Sequence, residues 1–189
     1  MRVLGTVGLP GSGKGEAATV ARAAEIPVVT MGDVIRAACR ERGLDPAEHH
    51  GTVAERLREE DGPTAIADRT VDRLRELDAE VVLVDGLRGP AELDRFRAAF
   101  GDQFQLVAIE APFEVRARRA ADRGRDDSDG DRAAFRAREE REREFGLVDV
   151  MERADVTVDN TDSLAAFHEK IADLLGVATP ERTPKPETS

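Results

Sequence analysis

The sequence predicts an α/β fold in three layers, in which a five-stranded parallel sheet lies between helices. Two observations carry this prediction. Five short apolar runs recur along the chain, and helical patterns fill the intervals between them. Four of the runs are rich in valine and carry few charges, which is typical of strands covered on both faces. Strands that alternate with helices indicate parallel pairing through right-handed crossovers.

The strands and the clearest helices can be placed from these patterns. Of the helices, one is predicted at 64–77, with Ile66, Val71, Leu74 and Leu77 on one side. Another is predicted at 163–175, where we expect Ser163 to cap the first turn and Gly176 to end the helix. The predicted strands lie at 3–8, 26–29, 80–85, 104–111 and 155–160.

The chain of 189 residues is long enough for one globular domain with a sizeable core and too short for two ordinary domains. We expect this domain to occupy residues 1–175. The tail at 176–189 contains three prolines and no residues suited to a core, so it is predicted to be disordered.

The net charge is strongly negative, with 39 acidic against 28 basic residues and a formal charge of -11. Nearly all basic side chains are arginine, and the lysines are Lys14, Lys170 and Lys185. An acidic, lysine-poor composition is typical of adaptation to high salt, and GC-rich codon usage is a compatible explanation. The negative field argues against nonspecific nucleic-acid binding and against docking to an anionic membrane.

The single cysteine, Cys39, excludes an intramolecular disulfide and is typical of a reducing compartment. It lies among alanines in a helical pattern and is expected to be a small buried side chain. The N-terminal stretch is too short and too rich in glycine for a signal peptide, and no apolar run approaches the roughly 20 residues of a membrane span. We therefore expect a soluble cytoplasmic protein, whose oligomeric state the sequence leaves open.

The stretch "GLPGSGKGE" at 8–16 has the spacing of a phosphate-binding loop, G-x-x-x-x-G-K-[ST]. It follows a predicted strand and runs into an alanine-rich helix, which is the context such a loop requires. Its glycines permit turns that point successive N–H groups at an anion, and the helix N-terminus adds positive partial charge. The predicted nucleotide-binding residues are Gly8, Pro10, Gly11, Ser12, Gly13, Lys14, Gly15 and Glu16.

Gly15 stands where the motif has serine or threonine, so the hydroxyl that normally reaches magnesium is missing. Read as G-x-P-G-x-G-K-G, the loop resembles that of adenylate kinases, which also follow the lysine with glycine. The resemblance implies ATP as phosphoryl donor, with Mg²⁺ held by water and acidic groups. Asp85, which ends the third strand, is the candidate for the ion, and a turn-forming Asp-Gly pair is the alternative. Glu16 departs from the adenylate kinase pattern, which has threonine there.

Two further stretches resemble the acceptor site of adenylate kinases. In "VTMGDVIRAA", Gly32, Asp33 and Arg36 match the element T-G-D-x-[LI]-R, with Met31 in place of the threonine. Arg36 would then be the cation for an acceptor phosphate, although an arginine on an amphipathic helix is often only a surface charge. The stretch "DGLRG" is similar to D-G-[FY]-P-R, with Arg88 one residue early and without the proline.

A highly charged segment follows the fourth strand, and taken alone residues 123–144 read as a solvated helix with i,i+4 ion pairs. In nucleotide kinases a small arginine-bearing lid lies at this place, so the resemblance implies a lid at about 119–144. Such a lid supplies positive charge on the moving phosphoryl group and excludes water. The candidate lid arginines are Arg119, Arg123 and Arg125, with Arg138 as a further candidate.

The C-terminal stretch "ADVTVDNTDSLAAF" is similar to the end of dephospho-CoA kinases. Asn160 in this stretch either contacts the adenine side of a nucleotide or caps the following helix, and capping is favoured. Over residues 1–175 the motifs together resemble an archaeal family of P-loop proteins described as adenylate kinase-related, dephospho-CoA kinase-like or uncharacterised AAA-type ATPases. The three histidines, His49, His50 and His168, are expected to be surface residues.

These motifs predict an ATP- and Mg²⁺-dependent kinase that transfers the γ-phosphoryl group to a small nucleotide-type acceptor near Arg36 and Arg88. Lys14 and the lid arginines would stabilise the transferring group, and Asp33 is a candidate base for a hydroxyl acceptor. A nucleoside monophosphate and dephospho-CoA both remain open as the acceptor. A regulatory ATPase or nucleotide switch without an acceptor is the alternative, and a small RNA-end kinase conflicts with the net charge.

Overall fold

A computed structural model describes residues 1–123 and 131–178, apart from the side chain of Arg123. Within these ranges the five predicted strands form one parallel sheet in the order β2-β3-β1-β4-β5. The predicted three-layer α/β fold is therefore confirmed. The strands are β1 (Arg2–Val7), β2 (Val28–Thr30), β3 (Val81–Asp85), β4 (Phe104–Glu110) and β5 (Val156–Asp159).

Helices connect the strands and cover both faces of the sheet. Their bounds are α1 (Lys14–Ala23), α2 (Met31–Glu41), α3 (Pro46–Asp61), α4 (Ala65–Arg75), α5 (Pro90–Phe100), α6 (Phe113–Arg123), α7 (Arg132–Glu144), α8 (Leu147–Glu152) and α9 (Leu164–Leu175), with a short 3₁₀ turn at Gly101–Gln103. None of the helices within the described ranges combines the length and apolar character that a membrane span requires.

The apolar side chains form two cores, one on each face of the sheet. Because successive residues of a strand point to opposite faces, Val3 and Val7 of β1 join the core beneath α2, α3, α4 and α5. Leu4 of the same strand joins the opposite core, which α1 and α9 cover. Valine-rich strands that are buried on both faces follow from this arrangement.

Local sequence signals explain where several elements begin and end. The strand predicted at 26–29 is displaced and spans Val28–Thr30, because Pro27 has no N–H to donate and contributes only its carbonyl, which accepts from Leu83 N at 3.0 Å. The Ser163 hydroxyl caps α9 by accepting from Ala166 N at 3.2 Å, and Gly176 ends that helix in the left-handed conformation. Cys39 is a buried free thiol, as expected.

The topology brings the predicted site residues to one edge of the sheet. The carboxyl ends of parallel strands meet at the same edge, and β1 lies between β3 and β4. Thr6 is paired with Asp85 and Val7 with Ala108, so the loop that follows β1 leaves the sheet directly beside Asp85. Ligands of open parallel sheets bind outside such an edge.

Candidate functional site

The predicted phosphate-binding loop connects β1 to α1 and is shaped by its glycines. Gly11 has φ 80° and Gly13 has φ 122°, conformations that residues with a side chain rarely adopt. There is also no room for a side chain. A Cβ atom on Gly11 would lie 2.6 Å from the Arg116 carbonyl oxygen, and one on Gly13 would overlap the amide nitrogen of Asn160. The loop is therefore packed between α6 and the residue that follows β5.

Lys14 is the first residue of α1, and its ammonium group folds back over the loop. It donates to the Gly8 carbonyl and lies 3.5 Å from the Leu9 carbonyl oxygen. Burial lowers the pKa of Lys14 below its ordinary value, while the carboxylates of Asp85 and Glu142 act in the opposite direction. The ammonium group thus sits in a poorly hydrated position, where the charges of these two carboxylates and of Arg88 and Arg138 act on it.

Asp85 ends β3 and is oriented by the neighbouring strand. The Thr6 hydroxyl lies 3.0 Å from Asp85 Oδ1 and 3.3 Å from the Val84 carbonyl oxygen. Thr6 is buried, so this contact fixes the direction in which the half-buried carboxylate points. Magnesium is commonly held through one or two carboxylates together with water and substrate phosphates, and Asp85 fits that requirement. No cluster of three or more potential metal ligands occurs within the described ranges.

The loop and Asp85 line a cavity of about 470 Å³, named here the phosphate-loop cavity. It brings together most of the predicted nucleotide-binding residues with Arg88 at the end of the acceptor motif. The helix α7 closes one side through Phe135, Arg138 and Glu142. Its lining includes Gly8, Pro10, Gly11, Ser12, Gly13, Lys14, Gly15, Asp85 and Arg88.

Glu16 does not line this cavity but a second one of about 270 Å³ on the other side of the loop, named the Asn160 cavity. Arg119 Nη2 lies 3.4 Å from Asn160 Oδ1, and the Asn160 amide donates to the Ser12 carbonyl at 2.7 Å. Capping of α9 by Asn160 was therefore the wrong expectation, because Ser163 is the cap and Asn160 holds the phosphate loop. The Glu16 carboxylate is 3.4 Å from His168 Nε2.

Gly32, Asp33 and Arg36 lie together at the start of α2, where Arg36 is already paired. Its Nη2 and Nε atoms lie 2.6 and 3.1 Å from Asp33 Oδ1, and the Thr30 hydroxyl donates to Asp33 Oδ2 at 2.6 Å. Partial burial alone would raise the pKa of Asp33, but the hydrogen bonds from Thr30 and Arg36 and the Arg36 charge lower it overall. Gly32 leaves space for Arg36, since a Cβ there would be 3.2 Å from Nη1.

A third cavity of about 250 Å³, the Arg58 cavity, adjoins the phosphate-loop cavity, and Gly86 and Arg88 line both. Gly32, His50 and Arg58 also line it, whereas Asp33 and Arg36 do not. Burial lowers the pKa of His50, the charges of Arg36 and Arg88 add to this, and a backbone hydrogen bond at Gly32 opposes it.

His50 and Arg58 were missed by the motif reasoning, which placed His50 on the surface. Both residues lie on α3, where a polar side chain in a charged helical pattern gives no sign of its partners. Arg58 lies 3.4 Å from the buried carboxylate of Glu92, which also accepts from Arg88 N at 2.9 Å. Glu92 therefore fixes the backbone of Arg88, and the Arg88 guanidinium lies 3.3 Å from Glu142 of α7.

The charged segment predicted as a lid is anchored by a buried arginine. Arg116 is 3% exposed and lies 2.7 Å from Glu139 of α7. It also donates to the carbonyls of Pro10 at 3.0 Å and Ala111 at 2.8 Å, so one guanidinium joins the phosphate loop to α7. Burial would raise the pKa of Glu139, but Arg143 and Arg116 together lower it.

The candidate lid arginines are distributed over different places. Arg119 lines the Asn160 cavity, and Arg138 lines the phosphate-loop cavity. The Arg123 side chain, Arg125, residues 124–130 and the tail beyond 178 lie outside the described residues. Of the segment 123–144 that the charge pattern predicts as a solvated helix, residues 132–144 are helical, but this helix is not fully solvated, because Phe135 and Glu139 are buried.

Comparison with solved structures identifies the fold. The crystal structure of TT1252 from Thermus thermophilus has a TM-score of 0.65 at 20% identity, covering 93% of this chain and 96% of that one. A gluconokinase from Sinorhizobium meliloti has a TM-score of 0.56 at 17% identity, covering 93% and 94%. Shikimate kinase from Acinetobacter baumannii in complex with shikimate has a TM-score of 0.52 at 17% identity, covering 92% of each chain. The chain thus has a P-loop kinase-like fold.

Sequence comparison gives the family. Residues 7–136 match the model of the AAA domain. A UPF0200/UPF0201 protein of Archaeoglobus fulgidus is 48% identical over 178 residues, which are 93% of this chain and 55% of that relative. A UPF0200 protein of Halobacterium salinarum is 56% identical over 183 residues, covering 95% of each. The chain, with its phosphate-binding loop and parallel sheet, therefore belongs to the UPF0200 family of archaeal P-loop proteins.

Proposed function

We propose that this protein is an ATP- and Mg²⁺-dependent phosphotransferase that acts on a small anionic acceptor of nucleotide type. One observation carries the proposal: the phosphate-loop cavity and the Arg58 cavity meet at Gly86 and Arg88, which line both. A donor held in the first cavity and an acceptor held in the second would thus meet beside Lys14 and Asp85. In-line phosphoryl transfer depends on such positioning and on positive charge at the moving group.

On the donor side, the loop N–H groups and Lys14 would bind the polyphosphate of ATP. The base and ribose would lie toward the Asn160 cavity, beside Arg119 and Leu164. Mg²⁺ would neutralise charge on the phosphates, and Asp85 would orient its water ligands. Arg119, Arg123 and Arg125 remain candidates for stabilising the transferring group, and the position of Arg138 on the phosphate-loop cavity supports adding it to them.

On the acceptor side, arginine side chains would bind an anion in competition with carboxylates of the protein. Arg58 and Arg88 line the Arg58 cavity together with Glu55 and Glu92, and Arg36 lies beside Gly32. The lowered pKa of Asp33 makes its carboxylate a weak base, and Asp33 lies outside the cavity lining. An acceptor phosphate is already deprotonated and requires no base, so these features support a phosphate acceptor over a hydroxyl acceptor.

The same proposal includes a kinase-like domain at 1–175, a lid at 119–144 and a cytoplasmic location. The gluconokinase and shikimate kinase that share the fold are kinases of small molecules by name, which supports a small-molecule acceptor here too. A membrane or nucleic-acid partner is not part of it, since the formal charge of -11 disfavours both.

The test is a coupled ADP-release assay at high potassium chloride, with ATP, Mg²⁺ and a panel of nucleoside monophosphates and dephospho-CoA. We expect one acceptor class to accelerate ADP release, with loss of the acceleration in Arg58→Met and Arg88→Met. Arg75→Met is the matched control, because Arg75 is an exposed arginine on α4 whose partner is Asp72. ATP hydrolysis that no acceptor accelerates, and that Arg36→Ala leaves unchanged, would instead support the regulatory ATPase.

A further inference from the structure

Phe145 differs from the other aromatic residues in being placed in solvent. The chain has seven phenylalanines and no tryptophan or tyrosine. Four of them, Phe96, Phe104, Phe135 and Phe167, are buried, whereas Phe145 is 62% exposed, the largest value for a big apolar residue in the described ranges. A single exposed apolar side chain is common on protein surfaces and indicates no function by itself. The residues around Phe145 therefore decide whether it could belong to a binding site.

Those surroundings are the acceptor side of the proposed site. Phe145 follows α7 and lines the Arg58 cavity together with the apolar side chains of Met31 and Ile66. It also lines an adjacent hollow of about 260 Å³ bounded by Pro63 and Pro90. Arg58 and Arg88 line both hollows, so the aromatic ring and two guanidinium groups bound the same space.

The backbone holds Phe145 in this place. Its N–H donates to the Arg141 carbonyl at 3.2 Å, and the next residue, Gly146, turns the chain into α8 with φ 85°. A Cβ on Gly89 would lie 3.7 Å from the Phe145 carbonyl oxygen, so the residue rests against the start of α5. The backbone of Phe145 is thus held between α7 and α8, next to the start of α5.

We propose that Phe145 stacks on the planar ring of the acceptor, so that the acceptor carries a nucleobase as well as a phosphate. This inference rests on the proposed function. Arg58 and Arg88 would bind the phosphate, and the phenyl ring would cover one face of the base. Every nucleobase has a flat aromatic face that allows this stacking. A phosphorylated sugar without a base would gain the ionic contacts but not the stacking.

The absence of tryptophan and tyrosine allows a direct test. Phe145→Trp places a single indole at the acceptor side, and Leu164→Trp places one at the Asn160 cavity, where Leu164 is 44% exposed. The fluorescence of each variant is titrated with ATP, AMP, CMP, dephospho-CoA and ribose 5-phosphate. We expect saturable quenching of Phe145→Trp by at least one base-bearing acceptor and none by ribose 5-phosphate, while Leu164→Trp responds to ATP.

A second variant measures the contribution of the ring. Phe145→Leu keeps an apolar side chain, and we expect the KM of the base-bearing acceptor to rise about tenfold with little change in kcat. Binding of ribose 5-phosphate should not change. Phe100→Leu makes the same substitution at a half-buried ring that stacks on Phe96 away from the cavities, and it should leave the acceptor KM unchanged.

Three outcomes would overturn the inference. One is a Phe145→Trp signal that no base-bearing acceptor changes while Leu164→Trp still responds to ATP. Another is an equal loss of ribose 5-phosphate and nucleotide binding in Phe145→Leu, which would indicate a structural role. The third is a loss of self-association in Phe145→Leu without a change in acceptor KM, which would make Phe145 a contact between copies of the chain. Silence of both tryptophan variants toward every nucleotide would instead contradict the proposed function itself.

Discussion

The donor and acceptor sides of the proposed site are built in different ways. The phosphate loop offers mainly main-chain groups, and Arg116 and Asn160 bind its carbonyl groups from either side. At Gly11 and Gly13 the loop is packed so closely that a side chain has no space. The acceptor side consists of charged side chains that already pair with one another, such as the half-exposed Arg36 with Asp33, and Arg88 with Glu142. The donor side is thus a rigid cradle, whereas an acceptor has to compete with carboxylates of the protein for its cations.

The largest expected effect comes from removing the support of the cradle. Arg116→Met deletes the hydrogen bonds to Pro10 and Ala111 and the buried pair with Glu139. Breaking a buried ion pair costs about 3–5 kcal/mol, so urea unfolding should show a loss of that size. Arg42→Met is the control, because Arg42 pairs with Glu60 at 2.9 Å on the surface, where a pair contributes at most about 1 kcal/mol. Equal losses in both variants would contradict the supporting role of the buried pair beneath the phosphate loop.

The next effect concerns the charge inside the cradle. We expect Lys14→Met to weaken nucleotide binding or turnover by about 10²–10³-fold, since it removes a preorganised cation from a poorly hydrated site. Calorimetric titration with ATP and Mg²⁺ measures the binding part. Lys170→Met is the control at an exposed lysine that contacts Asp159 and Asp162, and it should bind ATP as the unmodified protein does.

Substitution of a loop glycine should lower the free energy of unfolding by a smaller amount, whereas substitution of an exposed helix glycine should raise it. Gly13→Ala forces a side chain into the left-handed region and against Asn160, for a loss of about 1–3 kcal/mol in unfolding free energy. Gly51→Ala lies in the helix α3 with open space around it and should raise stability by about 0.5–1 kcal/mol. Thermal unfolding of the two variants measures both signs, and a stabilised Gly13→Ala protein would contradict the tight packing of the loop.

The affinity for ATP should depend on pH through the protonation of Lys14. Burial lowers the pKa of Lys14, so its ammonium group loses the proton at a lower pH than an ordinary lysine. Since phosphate binding needs the charged form, affinity for ATP should fall about tenfold per pH unit once the pH exceeds that lowered pKa. Lys14→Arg keeps its charge and should shift the decline to higher pH. An unchanged decline in that variant would assign it to another group.

The smallest effect is expected on the acceptor side. The Asp33–Arg36 pair is exposed by about two fifths on each side chain, so Asp33→Asn should lower stability by less than about 1 kcal/mol at neutral pH. Because the folded-state pKa of Asp33 is lowered, this contribution is present above its unfolded-state pKa and is lost as pH falls through the folded-state pKa. Thermal unfolding over a series of pH values below 7 measures the difference, which should shrink once the pH falls below the unfolded-state pKa and vanish below the lowered folded-state pKa.

The same contrast explains what the sequence could and could not predict. The five strands and the phosphate loop follow from local signals, namely apolar runs, glycine spacing and Lys14 at a helix start. The roles of Arg58 and Arg116 do not, because the sequence contains many arginines in similar charged helical patterns and burial separates them only after folding. Asn160 was misjudged for a related reason: two polar residues near a helix start compete for the cap, and packing against Gly13 decides between them.

The buried pair of Arg116 and Glu139 has a consequence for how this family diverges. Neither residue can be exchanged alone without passing through a weakened protein, so descendants should inherit both or replace both by apolar side chains that fill the same volume. The half-exposed Arg36 and Asp33 on the acceptor side are under a weaker mutual restraint. Related proteins can therefore change their acceptor through single substitutions at such residues, while the Arg116–Glu139 pair that joins the phosphate loop to α7 is retained.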